Sequence, residues 1–114
     1  MIDLEGRTMF VSSTAANGVV SESTRIHFTQ KGDRVFARYS GGAIERGVLA
    51  GAWAGEELRF RYVQREAGGS IGGGRSVCEV HLRVDGRVRI IERFAWCTRS
   101  GTGVNVFDEV DRES

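Results

Sequence analysis

Apolar and polar residues alternate along Arg75–Thr98, and Asp85-Gly86 interrupts the alternation near its middle. Alternation of period two is typical of β-strands with one buried face, and Asp-Gly between two such runs is a strong hairpin signal. A reversal over residues 85–87 predicts that Val84 lies opposite Val88. The same register pairs Leu82 with Ile90, Val80 with Glu92, Cys78 with Phe94 and Ser76 with Trp96, all on the inward face. Glu92 is then the one charged residue on that face.

Alternation and turn residues continue along the rest of the chain. Further strands are predicted over Arg7–Ser13, Glu22–Gln30, Arg34–Gly41, Gly47–Trp53, Leu58–Glu66 and Val104–Val110. Tight turns are predicted at Lys31-Gly32-Asp33, Glu45-Arg46-Gly47 and Ala54-Gly55-Glu56. The run Ala67–Gly74 is predicted to be a flexible loop or a ragged strand end, because glycines cluster there and the alternation stops.

The predicted strands follow one another through short connections, and the chain lacks a helical period longer than one turn. Local connections favour an antiparallel meander, and closing eight strands removes the exposed edges of the sheet. We therefore predict an all-β fold, an eight-stranded antiparallel up-and-down β-barrel of the calycin, avidin and lipocalin type, as a single domain over residues 1–114. A two-sheet sandwich is the alternative, but it would need longer crossing connections.

The charge of the chain is nearly balanced, with 16 Lys and Arg against 15 Asp and Glu for a net charge of +1. Overall charge therefore predicts no nucleic-acid partner and no attraction to an anionic membrane. We expect a cytoplasmic protein, since neither a signal peptide nor a membrane-spanning apolar run is apparent. Cys78 and Cys97 fall on opposite faces of the main hairpin and are expected to be free thiols.

Three segments resemble a known protein family: YSGGAIERGVLAG at Tyr39–Gly51, LRFRY at Leu58–Tyr62 and DGRVRIIERFAW at Asp85–Trp96. The spacing of their glycines and aromatic residues is similar to that of small bacterial proteins labelled N-acetylglutamate synthases. The resemblance extends from about Phe28 to Glu109. It implies a small antiparallel barrel and assigns no catalytic residue to this chain.

Glu92 is the strongest candidate for function, because an ionised carboxylate is costly to bury without partners. Tyr39, Tyr62 and Gln64 are the polar residues expected to share the interior, and Trp96 would supply a stacking surface. The predicted ligand-binding residues are therefore Tyr39, Tyr62, Gln64, Glu92 and Trp96, around a polar pocket for a small molecule. The alternative is a buried structural network that closes one end of the barrel.

The favoured function is non-enzymatic binding of a small molecule in the barrel interior, without a cofactor. One alternative is a small enzyme in which Glu92 is an acid or base, in line with the label of the similar proteins. The other is a structural subunit that binds a partner through the outer barrel face. His27 and His81 are predicted on outer faces without a matched acid or nucleophile, so no catalytic or metal site is predicted.

The outer face is predicted to carry a band of arginines: Arg59, Arg61, Arg65, Arg83, Arg89 and Arg93. The band is interpreted as a solvated surface balanced by Glu66 and Glu79, and the alternative is a surface that contacts an acidic ligand, RNA or a partner protein. Val77, Ile91 and Ala95 interrupt this charge on the main hairpin. An apolar patch there would indicate a homo-oligomer.

Overall fold

The computed structural model describes residues 1–111 and contains eight β-strands. They are β1 (Thr8–Ser13), β2 (Arg25–Lys31), β3 (Arg34–Gly41), β4 (Ile44–Ala54), β5 (Glu57–Glu66), β6 (Ile71–Leu82), β7 (Val88–Trp96) and β8 (Thr102–Glu109). Each strand pairs antiparallel with the next, and β8 pairs with β1, so the sheet closes. The predicted eight-stranded up-and-down barrel is confirmed, and the sandwich is excluded. Of the predicted domain over 1–114, the last three residues lie outside the described chain.

One end of the barrel is packed with apolar side chains. Leu4 is fully buried there, and its N–H donates to Gln30 Oε1 at 2.9 Å. The strand residues buried at this end are Met9, Val35, Trp53, Leu58, Val88 and Ile90. Burial of these side chains is the main source of stability for the fold. Glu109 is also buried at this end, where it accepts from Arg7 Nη1 at 2.7 Å and from the Val88 N–H at 3.0 Å. The buried polar residues Gln64, Glu92 and Asn105 lie further toward the opposite end.

The β6–β7 hairpin is offset by two residues from the predicted register. Its pairs are Leu82 with Val88, Val80 with Ile90, Cys78 with Glu92, Ser76 with Phe94 and Gly74 with Trp96. A shift of two residues keeps every side chain on its face, so the inward direction of Glu92 is correct. The predicted inward positions of Leu82 and Val84 are wrong, because both side chains are exposed.

The β6–β7 turn explains this offset. The Gly86 N–H donates to the Arg83 carbonyl at 2.9 Å, and the Arg83 N–H donates to the Arg87 carbonyl at 2.7 Å. Gly86 has a φ of 83°, in the left-handed region. The loop is therefore residues 84–86, a tight turn followed by a left-handed glycine, rather than 85–87.

Replacing Gly86 with Ala is expected to lower the free energy of unfolding by about 1 kcal/mol, because a Cβ disfavours the left-handed conformation. Gly86→Asn is the matched control and should lose less, since Asn tolerates this conformation better. Urea unfolding of the two variants measures the difference. Equal stability of Gly86→Ala and the parent protein would contradict the turn geometry.

Two glycine-containing segments lie in strands, where the sequence predicts a loop or a ragged strand end for the first and a reversal for the second. Gly72–Gly74 lies in β6, and a Cβ at Gly74 would come within 2.5 Å of Tyr62 Oη. The predicted reversal at Glu45–Gly47 lies in β4, and the chain turns at Gly42-Ala43 instead. Gly47 and Gly74 make room for the interior rings of Tyr39 and Tyr62, so these two glycines serve packing within strands rather than turns.

Candidate functional site

A narrow pocket enters the barrel beside the β1–β2 connection. This end lies opposite the one that is packed with apolar side chains. Its lining is mostly apolar and aromatic: Gly18, Val19, Val20, Ile26, Tyr39, Leu49, Phe60, Tyr62, Gln64, Glu92, Phe94, Trp96, Asn105 and Phe107. The cavity volume is about 30 Å³, which is room for roughly two water molecules. Side chains therefore fill most of the interior.

All five predicted ligand-binding residues line this pocket. Tyr39 comes from β3, Tyr62 and Gln64 from β5, and Glu92 and Trp96 from β7. They meet because each occupies an inward position near the same end of a closed barrel. Their role in binding a ligand stays a prediction.

Glu92 is buried in a hydrogen-bonded network. Ser76 Oγ donates to Glu92 Oε2 at 2.5 Å, and Asn105 Nδ2 donates to Glu92 Oε1 at 2.9 Å. The Asn105 Oδ1 atom accepts from Thr14 Oγ1 at 2.8 Å and from the Ala15 N–H at 3.2 Å. The carboxylate is thus tied to the connection at the pocket entrance as well as to β6 and β8.

Burial raises the pKa of Glu92, because the ionised carboxylate loses its hydration inside the barrel. The hydrogen bonds from Ser76 and Asn105 act in the opposite direction and lower its pKa. Within residues 1–111, no cationic side chain pairs with Glu92 at ion-pair distance. The inner pocket is therefore suited to neutral groups and to hydrogen-bond donors, and unsuited to anions.

A second polar chain connects the interior to the entrance. Tyr39 Oη donates to Gln64 Oε1 at 2.8 Å, and Gln64 Nε2 donates to Glu66 Oε2 at 3.0 Å. The same Glu66 oxygen accepts from Arg99 Nη2 at 2.8 Å. Burial raises the pKa of Tyr39, and the neighbouring Glu92 adds to this effect. Tyr39 therefore stays protonated and remains a donor at neutral pH.

The Tyr62 hydroxyl is the exception among these polar groups. Among the buried side-chain polar atoms of residues 1–111, Tyr62 Oη is the one that has no hydrogen-bond partner. Burial, followed by the charge of Glu92, raises the pKa of Tyr62. The phenol is therefore protonated at neutral pH and holds an unused donor inside the pocket. Buried polar groups normally have partners, so this one indicates a position that a bound water or ligand would satisfy.

Trp96 lies at the pocket entrance between the interior and the β7–β8 connection. Its ring packs edge-on against Tyr62 and Phe94, with 5.7 Å between centroids in each pair. The Arg99 guanidinium lies 4.2 Å from the Trp96 ring centroid, and Trp96 Nε1 donates to the Asn17 carbonyl at 3.2 Å. Ligand access therefore depends on Trp96 and on the two connections that hold it.

Several residues of this site are not predicted from the sequence. Ser76 is predicted on the inward face but without a polar role, and no role is predicted for Asn105. The alternation Asn105, Phe107, Glu109 in β8 was the available signal, because it places Asn105 on the same inward face as Phe107. Val19 and Val20 belong to an irregular connection, for which no periodic signal exists.

The outer arginine band is largely paired. Arg59 pairs with Glu57, Arg65 with Glu45, Arg93 with Glu79, and both Arg83 and Arg89 with Asp108. The expected balancing role of Glu79 is therefore observed, whereas Glu66 pairs with Arg99 at the pocket entrance. Arg61, by contrast, has no ion-pair partner within the described residues.

The histidines and cysteines occupy separate positions. His27 Nδ1 lies 2.9 Å from Thr8 Oγ1, and His81 Nε2 lies 3.4 Å from Glu79 Oε1. Cys78 is buried and Cys97 is exposed, both as free thiols. No cluster of metal-binding side chains occurs in residues 1–111, and these residues form no helix that could cross a membrane.

Comparison with known proteins gives one family. The family model described as avidin-like protein matches residues 2–110. No curated protein and no solved structure matches the chain. The family match overturns the resemblance to proteins labelled N-acetylglutamate synthases, and that assignment is wrong.

Proposed function

This chain belongs to the avidin-like protein family, and we propose that it binds a small organic ligand inside the barrel. Members of the family bind small ligands such as biotin. The unpaired Tyr62 hydroxyl is the observation that carries the proposal. A ligand acceptor placed against Tyr62 Oη would satisfy the donor and stabilise the complex.

The charge in the pocket defines the ligand group that reaches furthest inside. Glu92 is buried and its two hydrogen-bond donors are neutral. An anionic group beside it would suffer repulsion in a poorly solvated environment. The inner group is therefore uncharged, with an acceptor toward Tyr62 and an apolar or aromatic surface toward Phe60, Phe94 and Trp96.

The size of the cavity requires movement for any larger ligand. About 30 Å³ admits only a few atoms. The entrance residues Val19 and Trp96 belong to or contact irregular connections, which rearrange more easily than strands. We propose that a ligand of the size of biotin displaces the side chains of Val19 and Trp96, while the hydrogen bonds of Glu92 to Ser76 and Asn105, which join strands, remain in place.

The two alternative functions have weaker support. Acid or base catalysis by Glu92 calls for a second titratable group at hydrogen-bond distance. Its partners in the described chain are Ser76 and Asn105, which are not titratable near neutral pH. A completely filled interior would favour the partner-binding subunit, but a pocket lined by Tyr62 and Glu92 is present.

Trp96 allows a direct test of binding. The chain has two tryptophans, so a Trp53→Phe background leaves Trp96 as the fluorophore. Titration with biotin is expected to give a saturable change in Trp96 emission and a Tm that rises with ligand concentration. Native mass spectrometry of protein isolated from its own host should show a retained small molecule where the natural ligand differs from biotin.

A pocket-filling variant provides the control. Val19→Phe adds volume at the entrance and should abolish the saturable signal. Val84→Phe adds the same ring at a fully exposed turn position and should leave the signal intact. The proposal fails if biotin gives no saturable change and the isolated protein retains no small molecule.

Self-association forms a second part of the proposal, since members of this family often form oligomers. Val77 is 38% exposed, and Ile91 and Ala95 are half-buried on the outside of the β6–β7 hairpin. Ile91→Glu is expected to shift the sedimentation coefficient toward the monomer by charging this patch. An assembly that survives the substitution would place the interface elsewhere.

A cytoplasmic location is also our proposal. The free thiols Cys78 and Cys97 support it, because reducing compartments keep thiols unpaired. Cell fractionation followed by detection of the protein in the soluble cytoplasmic fraction tests it. Recovery from an oxidising compartment would contradict it.

A further inference from the structure

The outer surface of β3, β4 and β5 contains a groove separate from the pocket. Its volume is about 500 Å³. Three exposed apolar side chains line it: Phe36 is 48% exposed, Val48 is 44% exposed and Val63 is 48% exposed. Ala50 on β4 lies directly opposite Phe36 on β3. We call this feature the β3–β5 groove.

Cations border the β3–β5 groove without partners of their own. Arg38 lies opposite Val48 across the β3–β4 pair, and Arg61 lies opposite Ala50 across the β4–β5 pair. Among the described residues, neither side chain has a hydrogen-bond or ion-pair partner. Arg34, Arg46 and Arg75 on β3, β4 and β6 share this property. The unpaired arginines therefore collect on one side of the barrel.

The acidic residues of β4 and β5 already have cationic partners outside the groove. Glu57 already pairs with Arg59 at 2.7 Å, and Glu45 pairs with Arg65 at 3.2 Å. Glu79, the acidic residue of β6, pairs with Arg93. An apolar groove with an uncompensated positive border thus remains exposed.

We propose that the β3–β5 groove binds an acidic polypeptide segment of another protein. Apolar side chains of the segment fill the space between Phe36, Val48 and Val63, and its carboxylates pair with Arg38 and Arg61. Complementary charge increases the association rate and orients the partner, while the buried apolar side chain supplies most of the affinity.

Two other occupants fit this surface less well. An isologous dimer centred on the groove would bring the unpaired arginines of two copies together, and each carboxylate of β3, β4 and β5 in the described chain already has a cationic partner. A nucleic acid would use the positive border, but successive bases need several aromatic side chains to stack on, and among the described residues Phe36 is the one exposed Phe, Tyr or Trp ring that lines the groove.

Fluorescence anisotropy provides the test, with a fluorescein-labelled peptide made of two Glu-Glu-Leu-Glu-Glu blocks. Saturable binding is expected, with loss on replacing the glutamates by glutamines or the leucines by serines. Raising the salt concentration from about 0.05 M to about 0.5 M should weaken binding severalfold, because exposed charges are screened. Arg38→Gln/Arg61→Gln should weaken binding roughly five- to tenfold.

Arg87→Gln/Arg93→Gln is the matched control, since it removes the same charge from arginines that have carboxylate partners outside the groove. It should bind the peptide like the parent protein. If both double variants lose the same affinity for the peptide, the effect of the arginines comes from net charge alone, and the proposal is overturned. Tighter binding of oligouridylate than of the peptide, or a dimer that Phe36→Ser dissociates, would overturn it as well.

Discussion

Replacing Glu92 with Leu is expected to lower the free energy of unfolding by roughly 2–4 kcal/mol. The physical reason is that Ser76 Oγ and Asn105 Nδ2 both lose their acceptor inside the barrel. Removal of the desolvated carboxylate offsets part of this loss. Urea unfolding followed by far-ultraviolet circular dichroism measures the change.

Glu92→Gln is the matched variant, because the amide keeps the size of the side chain and offers both an acceptor and a donor. Its oxygen can accept from Asn105 and its nitrogen can donate to Ser76 Oγ, so stability should change by about 1 kcal/mol or less. Unchanged stability in Glu92→Leu would show that the carboxylate is not the acceptor that holds these two side chains.

The stability of the parent protein and that of Glu92→Gln are expected to depend differently on pH. Burial raises the pKa of Glu92 in the folded state above its value in the unfolded chain. Between these two pKa values the folded protein retains a proton that the unfolded chain has released. The contribution of Glu92 to stability therefore falls as pH rises through this window and is constant above it.

Unfolding free energies of the parent protein and Glu92→Gln, measured from about pH 4 to about pH 8, isolate this contribution. Other carboxylates, including Asp108 with its lowered pKa, titrate in both proteins and cancel in the difference. The parent should lose stability relative to Glu92→Gln as pH rises. A constant difference would mean that the pKa of Glu92 is the same in the folded and unfolded states.

The inward position of Glu92 was predictable because side chains alternate between the two faces of a strand, so only the odd or even position of a residue matters. The predicted register was wrong by two residues, yet parity survived because side-chain direction repeats every two residues. The identity of its partners was not predictable in the same way. Asn105 lies opposite Glu92 in the β7–β8 pair, and this register depends on the irregular connection between the two strands, which has no periodic signal.

The residues at the pocket entrance were harder to predict than the strand residues inside the barrel. Val19, Asn17 and Arg99 lie in connections whose conformations have no period to detect. Glycine composition was also misleading, because Gly74 accommodates Tyr62 and does not end a strand. Sequence pattern therefore predicted the barrel and five residues that line the pocket, while side-chain packing and irregular connections determine the pocket's size and access.

Tyr62→Phe is expected to separate the binding role of the pocket from its structural role. The Tyr62 hydroxyl is buried and unpaired, so its removal should leave stability unchanged or raise it by up to about 1 kcal/mol. In a Trp53→Phe background, the affinity for biotin should fall at least about tenfold, because the ligand acceptor loses its donor. Both quantities are measured on one protein, by urea unfolding and by Trp96 fluorescence.

Tyr39→Phe is the matched control for this prediction. The Tyr39 hydroxyl donates to buried Gln64 at 2.8 Å, so removing it leaves an acceptor without a donor and should lower the unfolding free energy by roughly 1–3 kcal/mol. The two tyrosines therefore have opposite expected signatures: Tyr39 affects stability, and Tyr62 affects binding. If Tyr62→Phe destabilises the protein as much as Tyr39→Phe does, the Tyr62 hydroxyl is satisfied within the folded chain and cannot be the donor that a ligand uses.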